Sequence, residues 1–120
     1  MTSEPSAFLP LSEPAFYILL SLAGGSKHGY AVLKDVEALS GERVRLSTST
    51  LYTAISRLLD LRLIEQVENG SNSDEERNGP GLPRKVYSIT GLGRRVVEAE
   101  TNRLLELAAA ARLRLGQEGV

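Results

Sequence analysis

Residues Arg45 to Gln66 read RLSTSTLYTAISRLLDLRLIEQ, which predicts a short helix, a two-residue turn and the start of a strand. Ser47 is the predicted N-cap, because its hydroxyl can accept a hydrogen bond from a backbone N–H of the first turn. Helical spacing places four apolar side chains on one stripe, which we expect to be buried: Leu51, Ile55, Leu58 and Leu59. The opposite face carries hydroxyls, a tyrosine and an arginine: Thr48, Ser49, Tyr52, Thr53, Ser56 and Arg57. Such a helix has the size and chemistry to lie in a DNA major groove, although the same pattern also occurs on ordinary surface helices.

The composition bounds the class of protein. One hundred and twenty residues allow one domain with one core. The 14 basic and 15 acidic residues nearly balance, so no overall positive charge indicates a nucleic-acid partner. There is no cysteine, which excludes a disulfide framework, a thiolate zinc site and a cysteine nucleophile, and which fits a cytoplasmic protein. We expect no signal peptide and no membrane span, since no apolar run approaches the ~20 residues that a span needs.

Two helices are predicted before the Ser47 helix. Ser12 caps the first, which is apolar almost all round and central to the core, and Gly24-Gly25-Ser26 ends it. The second runs from about His28 to Leu39, with Gly41 as a left-handed C-cap. Its predicted inner side consists of Tyr30, Leu33, Val36, Ala38 and Leu39.

Two strands are predicted after the Ser47 helix, at Leu63–Val67 and Arg84–Ile89. Between them, residues 68–83 are rich in Gly, Asn, Ser and Pro and predict a long mobile hairpin tip. Three helices followed by a two-stranded hairpin predict a winged helix-turn-helix, an α+β fold that is mainly α.

The last predicted helix follows Thr90 as its cap and continues to about Leu115, with an irregular first turn because of Gly91 and Gly93. The length of this helix, ~37 Å, would carry it beyond a folded domain whose radius of gyration is near 12 Å. Its overhanging half nevertheless carries an apolar face, which a second copy of the helix would bury in a homodimer. The predicted dimerisation residues are Leu104, Leu107, Ala108, Ala111 and Leu115.

The sequence thus divides into four parts. We expect residues 1–11 to be a flexible N-terminal arm, residues 12–90 a winged-helix DNA-binding domain, residues 91–116 a C-terminal dimerisation helix and residues 117–120 a tail.

Four segments of the chain carry a family resemblance: AFYILLSLAGGSKHGY (Ala15 to Tyr30), TLYTAISRL (Thr50 to Leu58), LIE (Leu63 to Glu65) and RKVYSITGLGR (Arg84 to Arg94). With these segments the chain resembles the PadR family of winged-helix transcriptional regulators. His-Gly-Tyr alone is a weak signal, but its combination with the later motifs is specific. The resemblance covers about residues 11–115 and implies the short form of the family, with a single C-terminal helix. It also implies a dimer that binds a palindromic DNA operator, in most members as a repressor. Such a regulator often leaves the operator when a small aromatic or drug-like effector binds to it.

Each predicted DNA-contacting residue has an ordinary structural alternative. Hydroxyls at the helix start would bind phosphates or base edges, or would merely cap the helix. Tyr52 would reach a phosphate, or would pack against the hairpin. Arg57 would bind a phosphate or a guanine edge, or would form an ion pair with Asp60 or Glu65. Cations near the helix and at the strand end are expected to contact phosphates without sequence preference. The complete predicted set is Arg45, Ser47, Thr48, Ser49, Thr50, Tyr52, Thr53, Arg57, Arg84 and Lys85.

The resemblance also suggests an effector cavity at the dimer centre, where the alternative is plain interface packing. The weak candidates for its lining are Phe8, Phe16, Leu104 and Ala108.

Other classes of function have little support in the sequence. His28 is the sole histidine, so a metal site lacks partners, and no cofactor is expected. No G-x-S-x-G elbow supports a hydrolase, and we predict that the protein is not an enzyme. A structural role for His28 at the start of the second helix is the preferred interpretation. The remaining alternative is a winged helix that binds a protein instead of DNA, which the acidic run Asp74-Glu75-Glu76 favours.

Overall fold

The structure is a computed structural model that describes residues 4–67 and 85–116. The predicted hairpin tip at residues 68–83 lies outside the described residues. The described residues contain a short 3-10 helix at the start, four α-helices and three strands. Their bounds are 3-10 helix Pro5–Phe8, α1 Glu13–Ala23, β1 Lys27–His28, α2 Gly29–Leu39, α3 Thr48–Asp60, β2 Ile64–Val67, β3 Val86–Ile89 and α4 Gly91–Leu115. The predicted fold class, a mainly helical winged helix-turn-helix with a long C-terminal helix, is confirmed.

Side-chain caps fix the starts of three helices, as predicted. The hydroxyls of Ser12, Ser47 and Thr90 accept hydrogen bonds from the N–H groups three residues further on, at 3.2, 3.1 and 2.9 Å respectively. Gly41 follows α2 with φ at 64°, the left-handed conformation predicted for this C-terminal glycine. The predicted helix boundaries are therefore accurate to about one residue.

The sheet contains one strand more than the sequence predicts. Its order is β1-β3-β2, with both pairs antiparallel. Lys27 lies opposite Tyr87 and His28 lies opposite Val86. Strand β1 therefore joins the start of α2 to the wing, which is formed by strands β2 and β3. Two residues are too few for a visible alternation of polar and apolar side chains, and β1 therefore left no signal in the sequence.

One apolar core joins α1, α2, α3, the sheet and the first part of α4. The predicted stripe of α3 is confirmed for Leu51, Ile55 and Leu58, whereas Leu59 is only partly buried. Around that stripe lie further buried side chains: Ile18, Leu19, Leu22, Val32, Val36, Leu63, Ile64, Tyr87, Val96 and Val97.

The predicted inner side of α2 is partly wrong. Tyr30 is 66% exposed and Leu39 is 48% exposed, while Val32 and Val36 are completely buried. The buried stripe begins at Gly29 and recurs at residues 32 and 36, so the helix is rotated from the predicted phase. Tyr30 could not be assigned by apolarity, because tyrosine is common at half-exposed positions.

The N-terminal segment differs from the flexible arm predicted for residues 1–11. Met1 to Ser3 lie outside the described residues, but Phe8, Leu9 and Leu11 pack against the core. The N–H of Leu11 donates a hydrogen bond to a carboxylate oxygen of Glu100 on α4, at 3.0 Å. This bond, together with the apolar contacts, holds the segment on the body of the protein.

Glu100 is a buried charge that the sequence did not reveal. It is 2% exposed, and the Arg103 guanidinium donates to both of its oxygens at 2.6 and 3.0 Å. The bonds from Arg103 lower the pKa of Glu100, burial opposes this, and the Leu11 N–H lowers it further. Through its bond to the Leu11 N–H, the Glu100 carboxylate ties α4 to the N-terminal segment.

Candidate nucleic-acid interface

The outward face of α3 forms an open groove of polar side chains. Burial of Leu51, Ile55 and Leu58 turns the rest of the helix to solvent. The groove is lined by Ser49, Tyr52, Thr53, Ser56, Arg57 and Asp60. Four of the predicted DNA-contacting residues, Ser49, Tyr52, Thr53 and Arg57, are thus brought together on one exposed surface.

The start of α3 places the remaining hydroxyls beside this groove. Ser47 accepts from the Thr50 N–H and donates to the Thr50 hydroxyl at 2.9 Å, so Ser47 has the capping role given above as its alternative. Thr48, Ser49 and Thr50 are exposed. An exposed helix N-terminus with hydroxyls and N–H groups can receive an anion such as a phosphate.

Arg57 is exposed at the far end of the groove. Among the described residues it forms no ion pair with Asp60 or Glu65, the partners considered for it from the sequence. No hydrogen bond joins its guanidinium to another described residue, and this group has the geometry to bind a phosphate or a base edge.

The other predicted cations differ in their surroundings. Arg45 is held by Glu42 at 3.1 Å, in a pair that is well exposed on both sides. Lys85 is exposed next to β3, and its carbonyl oxygen lies 3.4 Å from Nδ1 of His28. Arg84 lies outside the described residues.

Tyr52 is 43% exposed, and its hydroxyl end lies against Gly29 at the start of α2. Its hydroxyl end thus packs against the start of α2 and not against the hairpin that the sequence analysis considered, while its exposed side faces the groove. A contact between Tyr52 and a phosphate stays a prediction.

Lys27 has a role that the sequence analysis missed. Its ammonium group donates to the carbonyl oxygens of Ser21 and Gly25 at 2.6 and 3.2 Å, and it lies 3.5 Å from Asp35. A cation at the C-terminus of α1 satisfies carbonyl groups that the helix leaves without partners. The available signal was the Gly24-Gly25-Ser26 turn directly before Lys27.

The predicted dimerisation residues lie on the distal half of α4, which is exposed throughout. Leu104 is 41% exposed, Leu107 53% and Leu115 79%, and Ala108 and Ala111 are also exposed. Leu105 and Leu113, at 62 and 80%, extend this apolar surface around the helix.

The four weak effector candidates do not meet at one place in the single chain. Phe8 lines a groove of about 540 Å³ between the N-terminal segment, α1 and α3. That groove is not lined by Phe16, Leu104 or Ala108, whereas Ala15, Ala54 and Leu58 contribute to it. Among the described residues, no three His, Asp or Glu side chains form a cluster that could hold a metal ion, and no helix is long and apolar enough to cross a membrane.

Comparisons with known proteins give a consistent assignment. Residues 18–99 match the Transcriptional regulator PadR-like family. An uncharacterized 37.1 kDa protein in transposon TN4556 of Streptomyces fradiae is 31% identical over 91 residues, which are 76% of this chain but only 23% of that protein's length.

Solved structures share the fold. A PadR family transcription regulator from Clostridium difficile R20291 superimposes with a TM-score of 0.67 at 20% identity, over 87% of this chain and 99% of that one. PadR of Bacillus subtilis, solved in complex with operator DNA, gives a TM-score of 0.55 at 21% identity, over 71% of this chain and 44% of that one. The family match covers the core helices, both wing strands and the first part of α4, and we conclude that the chain belongs to the PadR-like family of transcriptional regulators.

Proposed function

We propose that this regulator binds duplex DNA as a homodimer and represses transcription from a palindromic operator in the cytoplasm. The observation that carries the proposal is the outward face of α3, where hydroxyls, Tyr52 and an arginine line one exposed groove. The family consists of transcriptional regulators and not of enzymes, and the fold is also that of a PadR solved with operator DNA.

The dimensions of α3 suit the major groove of DNA. Its 13 residues extend ~20 Å, and a groove about 12 Å wide admits one α-helix. Hydroxyls at its start and Arg57 near its end would meet phosphates and base edges along this length. Lys85, beside the wing, would add a phosphate contact outside the DNA major groove.

The exposed distal half of α4 supports the homodimer. Its leucines would lose contact with water if they packed against a second copy, and a two-fold axis through that contact is the commonest solution. Two α3 helices would then meet two half-sites about 34 Å apart, which accounts for a palindromic operator.

Release by a small effector is the remaining part of the proposal. The groove beside Phe8 has a volume within the range of small-molecule sites, and apolar side chains dominate its lining. It also includes Arg57 at its edge, so a bound molecule would lie next to the residue proposed for DNA contact.

Replacing Arg57 with alanine is expected to weaken binding to the operator by about 1–3 kcal/mol for each protomer. The variant loses a guanidinium from the groove, whereas the buried stripe of α3 is untouched. Dissociation constants measured by fluorescence anisotropy on DNA from the region upstream of the chain's own gene would check this.

Arg43→Ala is the matched control, since it removes the same charge from an arginine that Glu13 and Tyr17 hold on α1, both at 3.3 Å. It should change affinity little. Equal losses for the two variants would contradict the proposed face. If the wild-type protein binds none of this DNA but binds another protein tightly, the protein-interaction alternative is correct.

Replacing Leu104 and Leu107 together with aspartate is expected to give monomers by light scattering, because two charges would enter the apolar contact. The double variant Asn102→Asp and Ala109→Asp adds the same charge on the opposite side of α4 and should stay dimeric. A Leu104/Leu107 variant that remains a dimer would show that the interface lies elsewhere.

A further inference from the structure

Gly29, the centre of the His-Gly-Tyr motif, is buried where α2 begins and is in contact with Tyr52 of α3. A Cβ built on Gly29 would overlap the Tyr52 hydroxyl oxygen, and would lie 2.7 Å from Cζ and 3.1 Å from Cε1 of the same ring. Helix α3 can thus approach α2 this closely only because residue 29 has no side chain.

This contact lies where three elements meet. His28, directly before Gly29, pairs with Val86 of the wing strand β3, and the neighbouring Tyr87 is 3% exposed. Burial raises the pKa of Tyr87, and its electrostatic interaction with Tyr52 raises it further. The Tyr52 ring therefore lies against the start of α2, while its exposed side faces the α3 groove.

We infer that Gly29 is a positioning residue for DNA recognition, which keeps the Tyr52 ring against the body of the protein and so leaves the rest of the α3 groove open to DNA. The inference rests on the proposed function. Tyr52 is 43% exposed, so its ring can move outward when residue 29 gains a side chain. It would then enter the groove between Ser49 and Arg57, where a phosphate or a base edge would otherwise lie.

The test is a double-mutant cycle on DNA affinity. Gly29→Ala is expected to weaken binding to DNA upstream of the chain's own gene about tenfold, and to have no further effect in a Tyr52→Ala background. Because no charge is lost, the dependence of affinity on salt should keep its slope, whereas Arg57→Ala should make the slope shallower. A general loss of folding would not leave this signature.

Thermal unfolding supplies a readout that does not involve DNA. Alanine is the better helix former, so Gly29→Ala would stabilise α2 if nothing opposed it. We expect instead a fall in Tm of about 5 °C that disappears when Tyr52 is also alanine. Gly24→Ala is the control, since its Cβ would lie an ordinary 3.5 Å from the Ser21 carbonyl oxygen, and DNA affinity should not change.

The outcomes separate this inference from the proposed function. If the wild-type protein binds DNA and the effects of Gly29→Ala and Tyr52→Ala are additive, the positioning role is wrong, while the proposed function stands. A wild-type protein that binds no DNA overturns both, whatever the unfolding cycle gives. Coupled losses in affinity with an unchanged salt slope support the inference.

Discussion

Raising the monovalent salt concentration from 50 to 200 mM is expected to weaken operator binding by about 10³-fold. Three exposed cations of each protomer are proposed to contact phosphates: Arg45, Arg57 and Lys85. Two protomers double this number to about six phosphate contacts, and each phosphate that is neutralised releases condensed counterions. Added salt reduces the entropy gained from that release, so affinity falls steeply.

The measurement is a series of dissociation constants across this salt range, on upstream DNA and on an unrelated duplex. Six contacts give a slope near −5 in a plot of the logarithm of affinity against that of salt concentration. Arg57→Ala should reduce the slope by about one for each protomer, and Arg43→Ala should leave it unchanged. A nearly flat plot for the wild-type protein would contradict phosphate binding by this face.

The net charge of −1 makes this experiment informative. A strongly basic protein would bind DNA through its overall field, and a steep slope would then identify no particular surface. Here the response has to come from local cations. Arg45 must also leave Glu42 to take part, which costs little because exposed ion pairs contribute at most about 1 kcal/mol.

The fold could be predicted where periodicity and capping are strong. Ser12, Ser47 and Thr90 marked three helix starts, and the apolar stripe of α3 fixed which side faces the core. The hydroxyls and Arg57 were predicted on the exposed side by the same geometry. Their roles in DNA binding stay predictions.

The features that could not be predicted depend on contacts between distant parts of the chain. Strand β1 forms because Lys27 and His28 pair with Tyr87 and Val86 of β3. No local sequence pattern predicts that pairing. The N-terminal segment packs because Glu100, 89 residues away, accepts the Leu11 N–H. A glutamate in a polar-looking helix gives no sign that it will be buried.

Replacing Gly93 with alanine is expected to destabilise the protein by about 3 kcal/mol, although alanine is the better helix former. The irregular first turn predicted for α4 is wrong, since the helix runs from Gly91, and Gly93 is instead required by packing. A Cβ at Gly93 would overlap the Leu63 carbonyl oxygen and would lie 2.9 Å from Cγ1 of Ile89.

Neither neighbour of Gly93 can move cheaply. The Leu63 oxygen accepts from the Thr90 N–H at 3.0 Å, and the Thr90 hydroxyl lies 2.8 and 3.0 Å from the Arg62 and Leu63 carbonyl oxygens, which share its one hydrogen. Ile89 belongs to the wing strand that pairs with β2. Relief of the overlap would break this junction between β2, β3 and α4. Urea unfolding at matched protein concentration would measure the loss, together with a fall in Tm of more than about 10 °C.

Gly91→Ala is the matched control two residues earlier in the same helix. Its Cβ would lie 3.6 Å from a guanidinium nitrogen of Arg95, an ordinary contact with a flexible side chain, and the position is exposed. We expect this variant to be neutral or more stable by about 0.5 kcal/mol, because alanine restricts the unfolded chain more than glycine does. Equal stabilities for the two variants would mean that α4 can move away from Leu63. The wing would then not be fixed to the helix that carries the proposed dimer contact, and the spacing of the two DNA-binding faces would lose its structural basis.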